Sequence, residues 1–209
     1  IRARFNPQLN GGWFSSVMEV INNVTLLSIV LAGAALIRER EHGTVEHLLV
    51  MPVTPLEILA AKVWSMGLVV LLAAAFALVV IVQGILAVPL YGSLVLFFVG
   101  AALLLFSTTS MGILMATLAR SMPQFALLVI MVILPLQLLS GGSTPRESMP
   151  EFVQNFMLAA PTTHFVSLAQ SVLFRGAGLE TVWPSLLALL VLGGLFFSIA
   201  LVRLRRSLR

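Results

Sequence analysis

The sequence predicts an all-α integral membrane protein with five transmembrane helices. Three observations lead there. First, 59% of the 209 residues are hydrophobic and only 10% are charged, against roughly 25% charged in a soluble domain. Second, the charges are segregated: none occurs from 24 to 37 or from 63 to 119, and the second run alone is long enough for two crossings of about 20 residues each. Third, the stretch between these runs, residues 38–62, is charged, helix-patterned and punctuated by Pro52 and Pro55. Such a segment belongs at a water interface.

Composition narrows the function. Twelve Lys and Arg face eight acidic residues, all of them Glu, for a net charge of +4. In a membrane protein a basic excess reads as topology and not as nucleic-acid affinity. The absence of Cys excludes disulfides and thiolate metal sites. The chain begins at Ile1 without the apolar core and cleavage site of a signal peptide, so an N-terminal portion is expected to precede it.

Residues 1–13 read as an irregular lead-in, with Trp13 and Phe14 as interfacial aromatics. The first span is expected over about 14–37. Its early part is polar for a span, with Glu19, Asn22, Asn23 and Thr25, and a carboxylate at such a place faces protein or water, not lipid. Ala32, Gly33, Ala34 and Ala35 suit close helix approach. Thr44 then caps a short helix over 44–50, with Glu46 in its first turn and Val45, Leu48 and Leu49 on one face. Pro52 ends it. Thr54-Pro55-Leu56-Glu57 is a second helix start, with Thr54 as N-cap, Pro55 at the first position and Glu57 closing a capping box.

That helix runs into the second span, about 63–88. Pro89-Leu90-Tyr91-Gly92-Ser93 is a turn, and the third span follows at about 94–118. Arg120 and Pro123 mark a short loop. The fourth span, about 124–139, contains Pro135, which is expected to kink it. Ser140-Gly141-Gly142-Ser143 breaks the helix, and Thr144-Pro145-Arg146-Glu147 signals another start. Two amphipathic helices follow, about 145–158 and 162–175. Met149, Phe152, Val153, Phe156 and Met157 form the stripe of the first; Phe165, Leu168, Ala169, Val172 and Leu173 form that of the second, which Gly176 closes. Both are too short to span and are expected to dip into the outer leaflet. The last span is about 183–202.

Five spans put the ends of the chain on opposite faces. Arg38, Arg40, Lys62, Arg120, Arg203, Arg205, Arg206 and Arg209 share one side; Arg2, Arg4, Arg146 and Arg175 share the other. The positive-inside rule places the first group in the cytoplasm.

No phosphate-binding G-x-x-x-x-G-K-[ST] loop, H-E-x-x-H or G-x-S-x-G occurs. His42, His47 and His164 are scattered, and surface or interface roles outweigh a metal set. Glu19, Asn22, Asn23, Gln83, Ser107 and Thr108 are candidate pathway residues. Each has a structural alternative: pairing for Glu19, an interhelical hydrogen bond for Gln83, and back-bonding of the hydroxyls over 107–110 to their own helix or to a neighbour.

The pattern Glu39-Arg40-Glu41-x-Gly43-Thr44-x-Glu46-x-Leu48-x-x-x-Pro52 resembles the cytoplasmic coupling-helix region of ABC-2 type transporter permeases, the type V ABC exporter fold. Leu139-Ser140-Gly141-Gly142, the stretch from Pro145 to Pro150, Ala160-Pro161-Thr162-Thr163-His164-Phe165 and Arg175-Gly176 follow in the family's order. The nearest likeness is the drug-efflux branch. At Gly141-Gly142 the chain departs from many members, which place a bulkier residue beside the glycine.

The resemblance implies a six-span permease. One span and most of an external domain would precede Ile1, with 1–13 as the end of that domain and 14–209 as the membrane domain. It implies residence in a bacterial inner membrane, a second permease as partner in a homo- or heterodimer, contact with lipid, and a cytoplasmic ATPase that holds ATP and Mg; no cofactor belongs to this chain, and no catalysis of its own. The exported substrate would be hydrophobic or amphipathic and drug-like. Arg38, Glu39, Arg40, Glu41, Gly43, Thr44, Glu46, Leu48 and Pro52 would form the coupling region, with Glu39, Glu41 and Glu46 docking to the ATPase. An ion-coupled secondary transporter and a non-transporting scaffold are the competing readings.

Overall fold

The computed structural model describes residues 11–42, 54–86, 92–142, 144 and 148–207. The predicted short helix over 44–50, with Gly43, Thr44, Glu46, Leu48 and Pro52, lies outside the described residues. So do Tyr91, the start signal at Pro145-Arg146-Glu147, and the side chains of Trp13 and Phe14.

Helix α1 is Gly11–Glu41. It outlasts the expected span at both ends, beginning at Gly11 and continuing through the helical Arg38-Glu39-Arg40-Glu41 run. Arg38 and Arg40 occupy its last turn, where exposed carbonyls favour positive charge. Helix α2 is Pro55–Phe76, and its start is the capping box read from the sequence. Glu57 N–H donates to Thr54 Oγ1 at 3.3 Å, and Thr54 N–H donates to Glu57 Oε2 at 2.7 Å. The rod continues without a break as a π-helix, Ala77–Ile85.

Helix α3 is Leu94–Leu118, with Ser93 Oγ accepting the Leu96 N–H at its start. Helix α4 is Met122–Leu139 and runs through Pro135, whose ring faces outward; the missing N–H removes the donor that the Met131 carbonyl would receive. Gly141 then turns the chain at φ +94°, a conformation natural to glycine.

Two elements shorter than a span follow. Helix α5, Glu151–Phe156, runs into a 3-10 turn, Met157–Ala159. It begins later than the expected 145 because Pro150 disfavours helix at Met149 and stands instead as the N-cap. Its apolar stripe divides: Met149 and Met157 are buried, whereas Phe152 and Phe156 are exposed. Helix α6, Pro161–Ala169, continues as a π-helix, Gln170–Phe174, and Phe165, Leu168, Ala169, Val172 and Leu173 are all buried. Gly176 closes it at φ +66°, with its N–H on the Val172 carbonyl at 3.1 Å. Helix α7 is Leu179–Ser207.

Among the described residues, five helices are long and apolar enough to cross a membrane: Ser15–Glu41, Pro55–Ile85, Leu94–Leu118, Met122–Leu139 and Leu179–Arg206. No strand occurs among them. Helix α3 is the hub, packed against α1, α2, α4, α6 and α7. Its middle, Ser107, Thr108, Thr109, Ser110, Met111 and Gly112, is buried without interruption. A Cβ on Gly112 would stand 2.4 Å from the Ile29 carbonyl oxygen, so α1 and α3 touch backbone to backbone there. Thr108 Oγ1 bonds back to the Leu104 carbonyl at 3.0 Å and receives Ser28 Oγ at 2.7 Å. Thr108 thus serves its own helix and α1 together, Thr109 and Ser110 bond back to α3 alone, and the buried Ser107 hydroxyl has no partner among the described residues.

Candidate functional site

The Glu41 end of α1 meets two other chain segments, and polar atoms make each junction. Toward α2, Lys62 Nζ forms an ion pair with Glu39 Oε1. Both side chains are partly shielded from solvent. The pair joins the helices on either side of the segment 43–53, so it fixes the distance between that segment's two roots.

Toward α3 and α4, the neighbouring residues do the opposite jobs. Helix α3 ends in carbonyls that have no intrahelical donor. Arg40 Nη1 donates to two of them, Ala116 O at 3.2 Å and Ala119 O at 3.3 Å. Helix α4 begins with N–H groups that have no intrahelical acceptor. Ser121 stands at its N-cap but its side chain makes no capping bond. Glu41 supplies one from α1: its Oε1 accepts the Met122 N–H at 2.9 Å. Positive charge thus meets a helix C-terminus and negative charge a helix N-terminus, the favourable sense in both cases. Within the turn, Arg120 N–H donates to Gln124 Oε1 at 2.8 Å.

The sequence reading named Arg38, Glu39, Arg40 and Glu41 and assigned the two carboxylates to docking. The structure engages both within the chain. Reading the sequence missed Lys62 and the turn 119–122 as their partners. No signal for the second was present: Ser121-Met122-Pro123-Gln124 has the spacing of a self-contained capping box, yet Ser121 makes no side-chain capping bond and Gln124 accepts the Arg120 N–H instead, which leaves the Met122 N–H to Glu41. Arg38 is exposed, and its carbonyl is met by His42 Nδ1 at 2.8 Å.

The candidate pathway residues separate into places. Glu19 and Asn23 lie together on α1, exposed, with Asn23 Nδ2 donating to Glu19 Oε1 at 2.7 Å. They line a groove of about 410 Å³ between α1 and α2. Asn22 is half-buried and Gln83 is exposed, and neither lines that groove. Ser107 and Thr108 are buried in the α3 hub, away from it. No group of three or more His, Cys, Asp or Glu side chains converges among the described residues.

The five long apolar helices agree with what comparison finds. The sequence pattern of the ABC-2 type transporter family matches residues 6–174. The chain belongs to that family. This ABC-2 chain is 65% identical over 207 residues to the inner membrane transport permease YhhJ of Escherichia coli K12, covering 99% of the chain and 55% of YhhJ. It is 33% identical over 211 residues to a protein named "Probable multidrug ABC transporter permease YbhR" of the same strain, covering 99% of the chain and 56% of YbhR. A third relative, "Probable multidrug ABC transporter permease YbhS", is 30% identical over 205 residues, with 54% of its length covered. The ABC-2 chain therefore spans about half the length of these relatives. Family, helix lengths and relatives together make it part of a multi-pass inner-membrane protein.

Proposed function

We propose that the chain is the membrane-spanning part of an ATP-driven exporter, energised by a separate cytoplasmic ATPase that grips the segment 43–53, and that it moves hydrophobic or amphipathic drug-like molecules outward. The observation that carries this reading is the bracing of that segment's roots. The Glu39–Lys62 pair, the Arg40 bonds to the α3 carbonyls and the Glu41 bond to Met122 tie α1, α2, α3 and α4 into one frame. A push on 43–53 then moves four helices together and is not absorbed at a loose joint. A non-transporting scaffold has no use for such bracing, and an ion-coupled carrier predicts paired charges within the spans. The names of YbhR and YbhS support the drug-like substrate.

The test is purification of the full-length protein from its native membrane, followed by assay of efflux in inverted vesicles. The expected result is a co-purifying ATPase and efflux that requires ATP. Efflux that persists without ATP and collapses with the ion gradient would replace this reading with the secondary-transporter one.

A further inference from the structure

The groove between α1 and α2 has a composition that specifies a ligand. Its walls are aliphatic: Val20 and Val24 of α1 face Val70 and Ala74 of α2, with Ile81 and Val82 of the π-helix beyond them. Its volume, about 410 Å³, falls in the range of small-molecule sites. Against this apolar lining stands one ionisable group, Glu19, eight residues into a membrane-length helix. Asn23 holds the carboxylate by one bond, Nδ2 donating to Glu19 Oε1 at 2.7 Å, and the same Nδ2 is anchored on the Glu19 backbone carbonyl at 2.9 Å. Among the described residues no Lys, Arg or His pairs with it. A carboxylate within an apolar span is costly, and a cation is its natural counterpart. The far part of the opposite wall, Ala77, Ile81 and Val82, belongs to a nine-residue π-helix, a form frequent at functional sites.

We infer that this groove binds a lipophilic organic cation, with its charge on Glu19 and its apolar body along Val24, Val70 and Val82. The inference deepens the exporter reading by naming a substrate class, and it rests on that reading only for the direction of transport; binding itself needs no motor. Asn23 is a positioning residue that keeps Oε1 turned along the helix while Oε2 meets the ligand. A neutral compound of the same shape lacks the ion pair and leaves the carboxylate desolvated and unpaired.

The experiment uses the full-length protein in phosphatidylcholine nanodiscs, without nucleotide. Radiolabelled tetraphenylphosphonium is the probe and triphenylphosphine oxide its neutral counterpart. Tetraphenylphosphonium is expected to bind saturably and to be displaced poorly by the neutral compound. Glu19→Gln is expected to weaken binding at least about tenfold. Ala73→Phe, which fills the groove from α2, is expected to abolish it and keeps the question open should Glu19→Gln not fold. Equal binding by wild type and both variants, or equal binding of the charged and neutral probes, overturns the inference. Displacement of the probe when phosphatidylethanolamine replaces phosphatidylcholine would make the groove a lipid-headgroup site and also overturn it. Failure of ATP-driven efflux alongside intact cation binding would strike the exporter reading and leave the groove assignment standing.

Discussion

Glu41 caps Met122. Its carboxylate accepts the Met122 N–H at 2.9 Å across 81 positions of sequence, and so the last residue of α1 completes the first turn of α4. Removing a capping acceptor costs about 0.5–2 kcal/mol. Glu41→Ala is therefore expected to lower the thermal midpoint of the purified protein by a few degrees and to reduce ATP-driven efflux further than the stability loss accounts for. Glu41→Gln, which keeps an acceptor oxygen, is expected to recover most of the stability. Melting curves alongside efflux rates check both.

Glu39 and Lys62 join α1 to α2. Exposed pairs contribute about 0–1 kcal/mol and breaking buried ones costs about 3–5; this partly shielded pair is expected near 1–2 kcal/mol. Glu39→Lys and Lys62→Glu each place like charges together. Each single variant is expected to lose efflux, and the exchanged double variant to regain a substantial part. A double variant no better than the worse single would remove the pair from the frame.

Gly112 lets α1 and α3 meet backbone to backbone. Gly112→Ala would put a methyl group 2.4 Å from the Ile29 carbonyl oxygen and 2.9 Å from Ile29 Cα. Neither atom belongs to a flexible side chain, so the helices must part. A loss of about 1–3 kcal/mol is expected. Gly194→Ala, where a Cβ meets nothing within 4 Å, is the control and is expected to leave the thermal midpoint unchanged.

Ser28 and Thr108 share a buried hydrogen bond at 2.7 Å. Interhelical hydrogen bonds in membranes average about 0.6 kcal/mol in double-mutant cycles. Ser28→Ala, Thr108→Val and their combination are expected to give a coupling of that size. Efflux of a panel of compounds is expected to be unaltered, because both hydroxyls lie inside the hub and away from the groove.

The architecture was legible because hydropathy and helix caps are local signals. Segregated charge marked the long helices, Thr54-Pro55-Leu56-Glu57 marked the start of α2, and Gly176 marked the end of the second short helix. Helix ends were less legible where charge disguised them: the Arg38–Glu41 turn reads as loop by hydropathy, yet its backbone is helical and its side chains find partners on three other helices. Those partners, Lys62, Ala116, Ala119 and Met122, are remote in sequence, and no periodicity carries that information. The π-helices after Phe76 and Ala169 had no sequence signal. The groove around Glu19 was half legible: an acidic residue in a span announces itself, but the aliphatic wall opposite it comes from a helix more than fifty residues away in sequence, roughly one hairpin of the bundle.

The central claim is that a separate motor grips the segment 43–53. These 209 residues hold no Cys, so His47→Cys, made in the full-length protein with any Cys outside them replaced by Ser, supplies a single thiol for site-directed cross-linking in native membranes. The account predicts a cross-linked product between this chain and a co-purifying ATPase, and loss of that product when the thiol is first blocked by a reagent applied from the cytoplasmic side. A thiol that cross-links to no ATPase and is blocked only by a membrane-impermeant reagent applied from outside would contradict it.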